Sequence, residues 1–186
     1  MSFEYAPFTG SRQIRLLKAS FDHAQTDVIQ CDFLVADLDA LPCEFIAISY
    51  LWGPPEKPEK VWCNGLSIDI TLSAMSVLRM AASDPDIEYI WIDALCIDQS
   101  NILEKSVQIR LMRYVYPAAK RTIAWLGNST ATSDDAMNFI VTLHAALKEI
   151  ELRNADTVTL SPLVDIEGCH WPSPRWDALS ILLDNQ

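Results

Sequence analysis

Three carboxylates gather where the apolar run Tyr89–Ile92 gives way to a helical pattern: Asp93, Asp98 and Glu104. In an open α/β sheet, ligands bind where the carboxyl end of a strand runs into a helix, so this junction is a candidate site. A glutamate placed there can act as a general base or stabilise a cation on a ligand. It can equally close a helix, because Asn101 and Glu104 stand three apart, as the ends of a capping box do, and negative charge suits a helix N-terminus. Spacing alone favours the cap. Asp93 and Asp98 read either as paired carboxylates lining a cleft or as local partners, Asp93 for loop amides and Asp98 for the helix start; the two readings stand level. Cys96 lies between them, but a nucleophilic thiol needs a nearby base or a lowered pKa. His23, His144 and His170 are all distant in sequence, so a small buried residue is the better reading of Cys96.

A second group follows an earlier apolar run. Ser49, Tyr50, Trp52 and Gly53 come directly after Phe45–Ile48. They can form one wall of a ligand cleft, with the indole stacking on a ring, or Trp52 can plug the end of the sheet. The dinucleotide, phosphate-loop and hydrolase glycine motifs are absent. Cys169-His170 has no second pair at zinc-ligand spacing, so no metal site is expected.

The elements that must hold these residues are legible from periodicity. Ile14–Ala19 and Val28–Leu34 alternate loosely as short strands, and Phe45–Ile48 is a compact buried strand. Three prolines and a glycine between Trp52 and Pro58 make a loop. Asn64-Gly65 between two apolar triplets, Val61–Cys63 and Leu66–Ile68, predicts a type I′ hairpin, since both residues tolerate φ > 0. Thr71 is placed to cap a helix whose inner face is Leu72, Met75, Leu78 and Ala82, and Asp84-Pro85-Asp86 ends it. A strand over Ile87–Ile92, a helix over Asn101–Tyr116 and a strand over Arg121–Leu126 form a βαβ unit. Leu103, Val107, Leu111 and Tyr114 mark that helix's apolar face, and Pro117 should stop or kink its last turn. After a polar loop, Ala136–Leu152 is an amphipathic helix with Phe139, Ile140, Leu143, Leu147 and Ile150 inside. Thr157–Pro174 reads as an irregular linker, and Ser173-Pro174 opens a last helix over Trp176–Leu183.

Bulk composition narrows the function. A chain of 186 residues, 50% hydrophobic and 21% charged, suits one core-bearing domain. The net charge of −11 weighs against nucleic acid, which needs clustered Lys and Arg. The basic residues of Lys105–Arg113 read as a solvated helix face. No apolar run is long enough to cross a bilayer, and the N-terminus lacks the pattern of a secretory signal. A cytosolic protein with five reduced cysteines is expected.

Taken in order, the segments resemble one family. Phe45–Gly53 is similar to its motif "aLSYvWG", Trp91–Gln99 to "WIDalCINQ", and Ala124–Gly127 to "vWLG". Glu104, Gln108, Met112 and Tyr116 match a spaced helical motif. This is the heterokaryon incompatibility (HET) domain of filamentous fungi, with its core motifs over residues 45–127 and a helical extension over 134–186. Asp98 stands where the family usually has Asn, and Lys105 where Arg is common. The resemblance also leads one to expect a "PWF.RvW..QE" segment beyond Leu183, so the chain reads as a single domain, C-terminally truncated. It implies an effector of non-self recognition that triggers cell death, acting as a signalling module through self-association or protein partners. The family's distant kinship to TIR domains implies a TIR- or flavodoxin-like fold: a mostly parallel central sheet flanked by helices, with an N-terminal β appendage and hairpin. Some TIR domains cleave NAD with a glutamate in a similar place. On that reading NAD is a substrate, Glu104 and Asp93 are the catalytic candidates, and Ser49, Tyr50, Trp52, Gly53 and Asp98 are the nucleotide-binding candidates.

Overall fold

A computed structural model describes residues 3–22 and 27–153. The chain divides into two compact units, Met1–Gly127 and Asn128–Gln186. The first unit is built on a seven-stranded sheet, with strands β1 (Gln13–Phe21), β2 (Ile29–Asp37), β3 (Ile46–Tyr50), β4 (Glu59–Cys63), β5 (Leu66–Ile70), β6 (Ile90–Trp91) and β7 (Arg121–Trp125). Their order across the sheet is β5-β4-β2-β1-β6-β3-β7. Its helices are α1 (Leu72–Ser83), the single turn α2 (Asp93–Cys96) and α3 (Ile102–Ala118).

The expectation of a mostly parallel sheet with an N-terminal β appendage is corrected on both points. The sheet is mixed: β3 runs parallel to β6 and β7, and β2 to β4, while β1 is antiparallel to β2 and β6, and β4 to β5. The N-terminal strand is central rather than appended, joining the β2 side of the sheet to the parallel trio β6-β3-β7. Its composition explains this. Ile14, Arg15, Leu16 and Leu17 are four successive buried residues, and a strand buried at consecutive positions is covered on both faces. The cover includes α1 and α2, both of which pack on β1.

Local chemistry behaves as expected at the hairpin and the first helix. Asn64 and Gly65 both take positive φ, 51° and 77°, and Cys63 pairs with Leu66 across the turn. The Thr71 hydroxyl accepts from the Ala74 amide at 3.2 Å, capping α1. Ala74, Met75, Val77, Leu78 and Ala81 form its buried face, while Leu72, expected inside, is exposed in the first turn. Pro117 is the penultimate residue of α3, which ends one residue later.

Helix α3 corrects a second expectation. Its buried residues are Gln108, Leu111 and Val115, whereas Leu103 is 80% exposed and Val107 and Tyr114 also face solvent. The hydrophobic period pointed about a quarter-turn away from the true inner face, because polar Glu104 and Gln108 occupy that face.

In the second unit, α4 runs from Ala131 to Arg153. It starts earlier than its apolar pattern. The Thr130 hydroxyl accepts from the Ser133 amide at 3.1 Å, and the Ser133 hydroxyl accepts from the Thr130 amide at 2.7 Å, a reciprocal cap. Phe139 is buried as expected, but Ile140 is exposed. The expected linker Thr157–Pro174, the helix Trp176–Leu183 and the Cys169-His170 pair lie outside the described residues. Among the described residues, no helix is long and apolar enough to cross a membrane.

Candidate functional site

The parallel trio β6-β3-β7 brings three sequence segments to one end of the sheet. Tyr50 pairs in register with Trp125, and Ala47 with Trp91. The residues that follow the strands, Leu51–Gly53, Ile92–Asp93 and Leu126–Gly127, therefore emerge at the same carboxyl edge, the usual ligand-binding edge of parallel strands.

Asp93 is the pivot of this edge. Both its carboxylate oxygens lie 3.1 Å from the indole nitrogen of Trp52, which donates to them. Its own carbonyl accepts from the Gln99 side-chain amide at 2.8 Å. Burial raises the Asp93 pKa above the ordinary carboxyl value; the Trp52 N–H, the Ala94 amide and the charge of Lys105 oppose the rise. The Tyr50 phenol is likewise pushed up, first by burial and then by the Asp93 charge. Tyr116, edge-on to Trp91 at 5.8 Å, is raised by the same two causes and eased by the Ser49 hydroxyl beside it. Beneath this layer, the Tyr50 hydroxyl, the Trp91 indole N–H and the Gln99 side-chain oxygen are buried with no hydrogen-bond partner among the described residues. Ser49, Tyr50, Trp52, Asp93, Gln99 and Tyr116 thus form one polar cluster at the strand ends. It can accept and donate hydrogen bonds and offers a partly exposed indole.

Gly53 belongs to the same loop for a backbone reason. Its φ is +68°, and a Cβ there would stand 2.8 Å from the Ser73 hydroxyl in the first turn of α1. Beside it, Leu51, Leu72, Ser73, Ser76 and Trp125–Gly127 line an open cavity of about 220 Å³.

Glu104 takes no part in that cluster. Its carboxylate grips Arg15 of β1 in a two-pronged pair, Nη1 to Oε1 at 2.5 Å and Nη2 to Oε2 at 2.9 Å. Oε1 also accepts from the Asp98 amide at 2.8 Å. The side chains are only 2% and 9% exposed. Arg15 donates further to the carbonyls of Ala6 and Cys96, and its guanidinium lies against the rings of Tyr5 and Phe8 at 4.7 and 4.1 Å. The predicted cap is half made. Asn101 Oδ1 accepts from the Glu104 amide at 3.1 Å, but the Glu104 side chain turns to Asp98 and Arg15, while the Asn101 amide bonds the Asp98 carbonyl. One turn on, Gln108, 2% exposed, donates to the Gln13 carbonyl at 2.8 Å. Two residues of the helical motif therefore bind α3 to β1.

Asp98 makes a local turn, its Oδ1 accepting from the Ser100 amide and hydroxyl at 3.0 and 2.6 Å. Cys96 is fully buried, its sulfur accepts from the Ile92 amide, and burial pushes its thiol up to about 12, so the thiolate is scarce. Sequence reasoning missed Arg15 altogether. The signal was there: an arginine inside the run Ile14–Leu17 needs a carboxylate, and Glu104 lacked an assigned partner.

The profile of the family described as "Heterokaryon incompatibility protein (HET)" matches residues 45–184, and the chain belongs to that family. Its span takes in the strand-end cluster and α3, while Arg15 and the rest of β1 precede it. Among curated proteins, "Heterokaryon incompatibility protein 6, OR allele" of Neurospora crassa is 29% identical over 144 residues, covering 69% of this chain and 21% of that protein. The chain thus spans about a fifth of the length of this relative. No solved structure matches.

Proposed function

We propose that this chain is the incompatibility module of a cytoplasmic fungal protein, and that it acts by assembling with protein partners to trigger cell death on non-self recognition. Family membership and the relative's description support the incompatibility role. The observation that carries the assembly reading over NAD cleavage is the state of Glu104. A TIR-like mechanism asks for a glutamate free to stabilise a ribosyl cation. This carboxylate is buried and bonded to Arg15 and to the Asp98 amide, and neither its contacts nor the charges acting on Asp93 join the two acids.

The test uses purified chain and a compatible fungal host. Light scattering over a concentration series is expected to show reversible assembly, and induced expression to kill without prior loss of cellular NAD. A chain that stays monomeric while killing follows NAD depletion, with both abolished in Glu104→Gln at unchanged stability, would overturn this reading in favour of the enzyme.

A further inference from the structure

The outward face of α3 combines two features left open to solvent. Ile102, Leu103, Val107 and Ile109 are between 45% and 81% exposed. Single exposed aliphatic residues are ordinary, but Leu103 and Val107, one turn apart, with Ile102 beside Leu103 at the helix start, form a patch of the kind that marks interaction surfaces. The second feature is charge. Every described Lys or Arg before Gly127 has a carboxylate within ion-pair distance except Lys57, Lys105, Arg110 and Arg113. In a chain with an excess of acid, three of these four lie on one helix. Arg110 shares the outer stripe with Leu103 and Val107 by helical spacing. Arg113 sits on the flank of that stripe, its guanidinium against the exposed ring of Tyr114.

The patch borders a groove. The N-terminal segment runs beside α3, and Pro7 and Phe8 on one side face Leu103 and Val107 on the other across a cavity of about 440 Å³. That is within the range that seats a ligand or a few side chains. Polar Asp98, Asn101, Glu104 and Gln108 also line the cavity, and Arg15 ties α3 to the segment through Glu104 and the Ala6 carbonyl.

We propose that this groove and the α3 face dock an acidic amphipathic segment of a partner protein. The segment's apolar side chains would enter between Phe8 and Val107, and its carboxylates would meet Arg110 and Arg113. This names the partner chemistry for the assembly reading and rests on it. Charge complementarity selects the occupant: Glu104 in the groove is paired by Arg15, Asp98 stands ahead of the helix start, and the basic pair Arg110 and Arg113 further along α3 fits carboxylates flanking aliphatic side chains. An anionic bilayer is the poorer fit, since it would meet the repulsion of the whole acidic chain, and a flat surface leaves a groove unfilled.

The probe is a synthetic helical peptide of about four turns, with leucine on one face and glutamate on the other. Its control is a twin with lysine in place of glutamate. Fluorescence anisotropy with the full chain should show saturable binding of the glutamate peptide, weakening as salt is raised, and at least about tenfold weaker binding of the lysine twin. Leu103→Ser/Val107→Ser should lose about tenfold or more, since apolar anchors carry such interfaces. Arg110→Glu/Arg113→Glu should reverse the preference between the twins. All four positions are solvent-facing, so circular dichroism should show an unchanged fold.

Equal binding of the twins, or unaffected binding by both double variants, overturns the proposal. So does binding of phosphatidylserine vesicles in preference to the peptide. If the variants abolish self-association while the peptide never binds, the occupant is a second copy and the partner assignment is wrong. A chain that binds the peptide yet never assembles leaves this inference standing and sinks the assembly reading instead.

Discussion

Replacing Arg15 with methionine tests whether the β1–α3 lock holds the unit together. The side chain it removes is 2% exposed and its partner 9%, so the Glu104 carboxylate would be left buried with the Asp98 amide as its remaining donor. Removing one member of a buried ion pair costs about 3–5 kcal/mol, because the surviving charge stays desolvated. The ring contacts with Tyr5 and Phe8 add about 0.5–2 kcal/mol, partly recovered by methionine packing against the same rings. A total near 4 kcal/mol is expected, which lowers the melting midpoint by roughly 8–16 °C for a chain of this size. Urea denaturation followed by tryptophan fluorescence and circular dichroism measures it. The double variant Arg15→Met/Glu104→Leu separates an uncompensated charge from lost packing. Substituting apolar side chains for both partners should restore at least half of the loss, as it does when buried pairs are replaced together. A single substitution costing under about 1 kcal/mol, a value typical of exposed pairs, would refute the lock. A double variant no better than the single would show that packing, not charge, carries the cost.

Four other outcomes follow from the geometry. Gln108→Ala, which strips the Gln13 carbonyl of its donor, should cost about 1–3 kcal/mol in the same urea assay. Asp93 has a folded pKa raised by burial, so the folded state holds its proton in the window just above the ordinary carboxyl value, and stability falls as pH rises through that window. Asp93→Asn, whose side-chain oxygen can still accept from Trp52, should flatten that slope and hold or raise the midpoint at neutral pH, as melts across a pH series would show. Gly53→Ala should cost about 1–2 kcal/mol for the left-handed backbone, and adding Ser73→Ala should recover only the part due to the 2.8 Å approach. Cys96, with its thiol pushed up to about 12, should resist iodoacetamide in the native chain while half-buried Cys43 reacts, as peptide mass spectrometry after brief labelling can show.

Short-range signals were the readable ones. The hairpin at Asn64-Gly65 and the cap at Thr71 rest on turn and cap chemistry that acts within four residues, and both formed as that chemistry requires. The strand-end placement of Ser49–Gly53 and Asp93 was readable too, because an apolar run of strand length must end somewhere and its ends carry polar groups. What could not be read was pairing at long range. Nothing local tells β1 to lie between β2 and β6, so the βαβ unit and the mostly parallel sheet that the resemblance implies left its antiparallel pairing unseen. The inner face of α3 was misread for the same reason. A hydrophobic period identifies the inner face only when the neighbouring surface is apolar, and β1 presents a guanidinium and a strand carbonyl to this helix.

That polar inner face explains why α3 leaves aliphatic residues in solvent. Turning the helix by about a quarter-turn to bury Leu103 and Val107 would gain about 1.5–3 kcal/mol for each fully buried side chain. The same rotation would strip Arg15 of its carboxylate, at about 3–5 kcal/mol, and leave the Gln13 carbonyl unmet, at about 1–3 kcal/mol. The rotation would also carry buried Val115 toward solvent, at about 1.5–3 kcal/mol, so the losses exceed the gain. Arg110, which shares the stripe of Leu103 and Val107 by helical spacing, adds to them, since it would enter the core unpaired, at several kcal/mol. The outward aliphatic residues are therefore held in solvent by the inner-face contacts of α3 and by the charge beside them. Replacing Arg110 and Arg113 with leucine removes that penalty, so the variant should either melt less cooperatively or aggregate, with the protection of the Glu104 turn in amide exchange reduced. Unchanged exchange and an unchanged midpoint would show that the inner-face contacts alone set the rotation of α3.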